Sequence, residues 1–346
     1  MTLETSDNYR MRTPLPAGYT ARPAAIDDVE AAATLLNTCS QALTGRDETS
    51  TEALRLEWEV PGFDPATGVR LVFAPGSRLV GYADFFDIDE PCVRMKSWCS
   101  VHPNHRERGI LAHLLEWAGS RARQSLSKAP AGARVVLATY AIHEDRAAID
   151  VIRRHRFEPV RCTYTMVTDL DEAPPAPQWP DGITVRAMVR GQDERALIEA
   201  ENEAFRDHWG YVEQPFDRVY EEWMHWIENN PNFDPSLWFI AMDGGEIAGV
   251  VLCSPEAEED PDMGWVESLG VRRPWRRKGL GLALLQYAFG ELHRRGKPRV
   301  GLGVDARSLT GATRLYEKAG MRVARRYDVF EKELRPGADL STRSLE

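Results

Sequence analysis

The chain has 346 residues, enough for two domains of ordinary size, and its 53 acidic residues outnumber 43 Lys and Arg for a net charge of −10. That balance, with no basic block longer than three residues, argues against a nucleic-acid partner. Five scattered cysteines without a C-x-x-C pair indicate neither a disulfide framework nor zinc. Met1–Arg12 is polar without a signal core, and no apolar run reaches membrane-spanning length, so a cytoplasmic chain without membrane or metal is expected.

In chain order, residues 1–17 read as a tail. Tyr19-Thr20-Ala21-Arg22-Pro23 then opens as a strand before an acidic helix start. Ser100-Val101-His102-Pro103 leads to the basic turn Arg106-Glu107-Arg108-Gly109. Residues 171–182 hold four prolines, which continue neither a helix nor a central strand, and read as a semi-rigid linker. Ile183-Thr184-Val185-Arg186-Ala187 repeats the first opening: Thr184 follows Thr20 by 164 residues, and Gly279 follows Gly109 by 170. The near-constant offset marks two copies of one domain, 18–170 and 183–335, with 336–346 as a tail. In the second copy the patterning predicts strands at 183–188, 236–243, 246–253, 262–271, 299–304 and 323–333. Helices are predicted at 192–205, 215–229, 280–295 and 309–319. That order predicts an α/β domain with a mixed, mostly antiparallel sheet flanked by helices.

The most informative stretch runs from Val266-Glu267-Ser268-Leu269-Gly270-Val271 into Arg276-Arg277-Lys278-Gly279-Leu280-Gly281. A strand stops, a basic turn follows, and a helix starts at once. The first N–H groups of a helix lack internal partners and sit at the positive end of its dipole, so they suit a phosphate. Gly279 and Gly281 let an anion approach the backbone. A tight corner with solvated arginines would use the same residues. The dinucleotide and P-loop spacings are absent.

Arg276-x-x-Gly279-x-Gly281 after Glu-Ser-Leu-Gly-Val resembles the acyl-CoA signature of the GNAT superfamily of N-acetyltransferases. Ala312-Thr313-Arg314-Leu315-Tyr316-Glu317-Lys318-Ala319-Gly320-Met321 resembles its second signature. The resemblance covers residues 183–335. It implies two tandem acyl-CoA N-acyltransferase (GNAT) domains, with acetyl-CoA wedged between two splayed parallel strands and held by Leu269, Gly270, Val271, Arg276, Arg277, Lys278, Gly279, Leu280, Gly281 and Ser308. Ser308 stands where the family usually has Asn.

Acyl transfer to an amine needs a base for the amine, donors for the carbonyl oxygen and an acid for the departing thiolate. Glu267 shares a strand face with Leu269 and Val271 by simple alternation and is the expected base; an arginine-paired structural carboxylate is the competing reading. Tyr316 is the expected acid, or else a packed core aromatic, and the Leu269 or Gly270 N–H suits the carbonyl oxygen. The first copy departs at each point: Ser97 replaces the base, Leu111 the second small residue, Ile152 the tyrosine and Arg156 the last glycine, while Arg106 and Gly109 survive. It is therefore expected to be non-catalytic.

For the acceptor, Phe205, His208, Trp209 and Tyr211 are the pocket candidates, whereas Tyr220, Trp223 and Trp226 recur at helical spacing and suit a core. The acidic run Glu256, Glu258, Glu259, Asp260 and Asp262 suits a solvated hairpin tip, or a field that draws a cationic amine. Tandem copies with a degenerate first half also resemble the mycothiol synthases, although Trp265 stands at their substrate-binding glutamate. The expected activity is acetyl transfer from acetyl-CoA directly to a primary amine of a small molecule, by a monomer or homodimer. An acyl-CoA-binding regulatory module without turnover and a protein N-acetyltransferase are the alternatives.

Overall fold

The computed structural model describes residues 13–47, 49–258 and 260–345; Met1–Arg12, Glu48, Glu259 and Glu346 lie outside these, and parts of the sequence reading fall on them. The chain forms two compact units, Met1–Val160 with Val329–Asp339, and Arg161–Asp328 with Leu340–Glu346.

The first unit begins with β1 (Thr20–Pro23), α1 (Val29–Thr44), α2 (Thr51–Trp58) and the single turn α3 (Pro65–Gly68). The strands β2 (Val69–Ala74), β3 (Arg78–Asp84), β4 (Arg94–Ser97) and β5 (Cys99–Val101) follow, then α4 (Ile110–Gln124), β6 (Val135–Ile142), α5 (Arg146–Arg154) and the start of β7 (Glu158–Asp169). Helix α1 buries Val29, Ala32, Ala33, Leu36 and Cys39, one stripe at helical spacing, against Trp58, Leu71 and Tyr82. Gly45, at φ 71°, ends it. Ser50 caps α2 by accepting from the Ala53 N–H at 3.0 Å. Strands β1-β2-β3-β5 pair antiparallel, while β4 runs parallel to β6 from Arg94 and Val136 to Ser97 and Thr139.

The second unit contains β8 (Ile183–Ala187), α6 (Glu194–Phe205), α7 (Phe216–Asn229), β9 (Trp238–Asp243), β10 (Glu246–Ser254) and β11 (Met263–Val271). It continues with α8 (Leu280–Arg294), β12 (Arg299–Asp305), α9 (Ala312–Lys318) and the start of β13 (Arg322–Arg335). The sheet order is β7-β12-β11-β10-β9-β8, and only the β11–β12 neighbours run parallel. One face packs on α8, where Leu284, Leu285, Ala288 and Leu292 meet Val251, Val266 and Leu302. The other packs on α6 and α7 through Leu197, Ile198, Trp238, Ile240, Val250 and Leu252. Each such buried aliphatic side chain stabilises the fold by roughly 1.5–3 kcal/mol before chain entropy is counted. Tyr220, Trp223 and Trp226 join this second cluster around Trp238, with the Trp226 and Trp238 rings stacked at 5.8 Å.

The units are not the contiguous halves that the repeat offset suggests. Residues 161–169, expected in the first copy, belong to the second unit, where Thr163–Asp169 pairs antiparallel with Arg299–Asp305 of β12. Residues 329–335, expected in the second copy, belong to the first, where β13 lies beside β6. Arg94 binds the buried Glu331 there at 3.1 Å, and Arg335 donates to the carbonyls of Ala133 and Pro130. Each copy's last strand therefore covers a sheet edge of the other unit, and an uncovered edge is a template for aggregation. The proline-rich linker is not a free spacer either: Trp179 packs on Tyr287 of α8 with ring centroids 5.7 Å apart.

Candidate active site

Pairing between β11 and β12 stops at Val266 and Leu302, yet both strands continue, β11 to Val271 against β10 and β12 to Asp305 against β7. The parallel strands thus part at residue 267. At the same point the β10–β11 register steps: Leu252 faces Ser268 but Cys253 faces Val266, leaving Glu267 as the extra residue of a bulge. Bulged residues leave the ladder and their side chains are re-aimed. The phase changes with it. Val266 and Leu269 both pack on the α8 side, while Ser268 turns to α6 and donates to the buried Glu201 at 3.0 Å. Glu267 is thus freed from simple alternation and open to the gap between the strands.

Ser254 Oγ donates to Glu267 Oε1 at 2.7 Å. The carboxylate opens toward the cavity but is ringed by protein, so loss of water pushes its pKa up, while hydrogen bonds from Ser254 and Trp265 pull it partly back. Tyr316 is buried, which pushes its phenol up to about 12 and keeps it a proton donor at neutral pH. Cys253, the last but one residue of β10, is fully buried and its thiol is pushed up by burial, so it offers no nucleophile.

Past Val271 the chain makes a short 3₁₀ turn over Arg273–Trp275 and leaves it extended at Arg276. It then enters the left-handed region twice, at Arg277 (φ 61°) and Gly279 (φ 90°), before α8 begins. A non-glycine residue there is strained, and consecutive N–H groups in such a turn form an anion-binding concavity at the positive end of the helix.

Arg276 departs from the sequence expectation. Its guanidinium is spent on the scaffold: it donates to the carbonyls of Val271 at 2.8 Å and Ala204 at 2.9 Å, and to the carboxylate of Asp207. Asp207 also accepts two bonds from Arg273, at 3.0 and 2.5 Å. Hydrogen bonds from Arg273 and Arg276 hold the Asp207 pKa down to about 2. Arg276 thereby fastens the turn to the end of α6, and the exposed Arg277 and Lys278 are the cations left beside it.

Glu267, Leu269, Gly270 and Val271 line a cavity of about 530 Å³, together with Arg276, Arg277, Gly279, Leu280 and Gly281 from the turn and with Ser308 and Tyr316. Phe205, His208 and Trp209 line the same cavity, whereas Lys278 and Tyr211 do not; the Tyr211 phenol donates to Asn202 at 3.1 Å. His208 packs on Phe205 with centroids 4.0 Å apart, and burial, helped by Arg276, lowers its pKa and favours the neutral ring. The Ser308 hydroxyl is engaged with Thr310 at 3.0 Å and accepts from the Ala312 N–H at the start of α9. Two members of the acidic run are paired, Glu256 with Lys297 at 3.3 Å and Asp260 with Arg299 at 2.6 Å, around a hairpin tip.

Residues 195–321, which hold the bulge, the turn and Tyr316, match the acetyltransferase (GNAT) family model. The chain is 34% identical over 262 residues to a mycothiol acetyltransferase of Streptomyces scabiei, covering 74% of this chain and 77% of the relative. It is 34% identical over 259 residues to a mycothiol acetyltransferase of Streptomyces avermitilis, covering 73% and 76%. The chain belongs to the GNAT family of acetyltransferases. A GCN5-related N-acetyltransferase from Sphaerobacter thermophilus superposes with a TM-score of 0.79 at 38% identity, covering 95% of this chain and 100% of that one. A tandem GNAT protein from the clavulanic acid biosynthesis pathway, 14% identical, shares the fold with a TM-score of 0.68 over 92% of this chain and 99% of its own.

The first unit of this acetyltransferase keeps a cavity of about 520 Å³ at the corresponding place, lined by Trp98, Cys99, Arg106, Gly109, Leu111 and Ile152 among others. Its details differ. The strand register runs unbroken past Ser97, from Phe86 opposite Lys96 to Ala83 opposite Cys99, so no bulge forms. Ser97 donates to the Asp84 carbonyl at 2.6 Å. The turn stays wound from Pro103 to Arg108, and Arg106 pairs with Asp145 at 3.3 Å. Among the described residues no group of three or more His, Cys, Asp or Glu could hold a metal, and no helix is long and apolar enough to cross a membrane. The sequence reading missed Ser254, Glu201 and Asp207, which lie 13 to 69 residues from their partners and show no local signal.

Proposed function

We propose that the second unit moves an acetyl group from acetyl-CoA directly to the primary amine of a small-molecule acceptor. One observation carries the reading: the bulged Glu267 lies where the parallel strands part, in one cavity with the left-handed turn and Tyr316. The N–H groups around Gly279 and the exposed Arg277 and Lys278 hold the pyrophosphate. A bound thioester supplies the activated carbonyl. Glu267, its pKa raised by burial, takes a proton from the ammonium, since an alkylamine of pKa about 10 is otherwise protonated. The freed amine forms the N–C bond, and the N–H of Leu269 or Gly270 holds the oxygen as it gains charge. The C–S bond breaks as Tyr316 gives its proton to the thiolate; the proton that the new amide nitrogen sheds restores the phenol, and Glu267 returns its own proton to solvent.

The first unit, without bulge, acid or tyrosine at these positions, serves as a structural partner. The relatives' name makes the amine of a mycothiol-type precursor the first acceptor to try. In place of a carboxylate, Trp265 lays its ring over Gly301 at this edge, so the panel must extend to amino acids, aminoglycosides and peptides. The test is thiol release from acetyl-CoA over that panel. A small amine is expected to accelerate release well above hydrolysis; acceleration by peptides alone, or by nothing, contradicts the reading.

A further inference from the structure

We propose that the segment Leu340–Leu345 roofs the acyl-donor channel, closing over the pantetheine arm of a bound acyl-CoA; this rests on the reading that the cavity takes acetyl-CoA.

The segment is fastened to the loop after α6 by backbone pairing. The Gly210 N–H donates to the Thr342 carbonyl at 2.8 Å, and the Thr342 N–H donates to the Tyr211 carbonyl at 2.9 Å. The Thr342 hydroxyl adds a bond to the Arg206 carbonyl at 3.0 Å. One residue on, the Arg343 guanidinium lies 4.4 Å from the centre of the Trp209 ring, and Arg161 lies 4.6 Å from the same ring. Each guanidinium is drawn to the electron-rich face of the ring.

The loop itself is tied to both walls of the channel. Arg276 binds the Ala204 carbonyl and Asp207 on the β11 side. Arg161, over Trp209, pairs with Asp305 at the end of β12 at 3.6 Å. The loop and its attached segment therefore span the gap where the two strands have parted.

Leu345 completes the roof. It lines the cavity with His208 and Trp209 yet keeps 43% of its surface exposed. A large apolar side chain at a channel mouth gains when a ligand covers it. Position selects which part of the ligand that is. Phe205 lies 3.6 Å from where a Cβ on Gly270 would stand, between the reacting end at Glu267 and the phosphate end at Gly279. The stretch of donor crossing that interval is the uncharged arm with its geminal methyl groups, which suits Leu345 and Trp209 and needs no counter-charge.

Calorimetric titration tests this with CoA, 4′-phosphopantetheine and adenosine 3′,5′-bisphosphate on the native chain, on Leu345→Ala and on a chain ending at Asp339. CoA and phosphopantetheine are expected to bind about tenfold more weakly to the shortened chain and a few-fold more weakly to Leu345→Ala, with the bisphosphate unchanged. Hydrogen exchange on the native chain gives a second readout: the Gly210 and Thr342 amides should slow when CoA is added. Unchanged or tighter CoA binding by the shortened chain, or amides indifferent to CoA, overturns the roof. A native chain that binds no CoA refutes the donor reading instead.

Discussion

On either side of β11 sits a carboxylic acid, and the two are set up for different work. Glu267 opens to the cavity and accepts from the Ser254 hydroxyl, and burial raises its pKa, which makes it a stronger base than a solvated carboxylate. Glu201 is buried behind the strand with Ser268 as its hydrogen-bond donor, and burial pushes its pKa up to about 7. A carboxyl raised on folding contributes stability below its unfolded pKa and loses it as pH climbs through the folded value. The stability of Glu201→Gln relative to the native chain, read by melting, should therefore rise between pH 5 and pH 8, by up to about 3 kcal/mol. An equal gap at both pH values would show that Glu201 ionises in the fold as readily as in the unfolded chain, so that burial does not raise its pKa. The place of Glu267 beside the turn was legible because its strand runs into a recognisable basic, glycine-containing segment. Its bulge was not, since the step appears only when Leu252 and Cys253 of β10 are matched with their partners on β11.

At the scale of elements, the turn Arg276–Gly281 works because two neighbours hold it. Its glycines and the helix that follows are written in the sequence; the direction of an arginine side chain is not. Arg276 reads like a phosphate ligand, yet it anchors the turn to α6 through Asp207, a residue 69 positions earlier. Asp207→Asn leaves Arg273 and Arg276 without their shared anion. We expect a loss of about 2 kcal/mol in stability and roughly tenfold in CoA affinity, read by thermal melting and calorimetry. Native CoA affinity in Asp207→Asn would mean that the turn holds its shape unaided. The acidic run shows the same limit: five acids in sequence suggest a field, but Lys297 and Arg299 neutralise part of it at the hairpin.

At the scale of the whole molecule, the repeat offset revealed two copies but misplaced their ends. The last strands, β7 and β13, alternate like any half-buried strand, and nothing in either says which sheet it will join. Because Thr163–Asp169 covers β12, a fragment of residues 183–335 should leave that edge bare. It is expected to aggregate and to lack a cooperative melt; a soluble fragment whose Tm rises with CoA would show the exchange to be dispensable. The same duplication leaves two cavities of similar size, of which one holds a bulged acid beside a tyrosine. The most direct test of which one works is Glu267→Gln, measured for kcat/KM with the best acceptor and for acetyl-CoA affinity. The account predicts a fall of about 10²–10⁴ in kcat/KM with acetyl-CoA binding unchanged; native turnover in Glu267→Gln would contradict it.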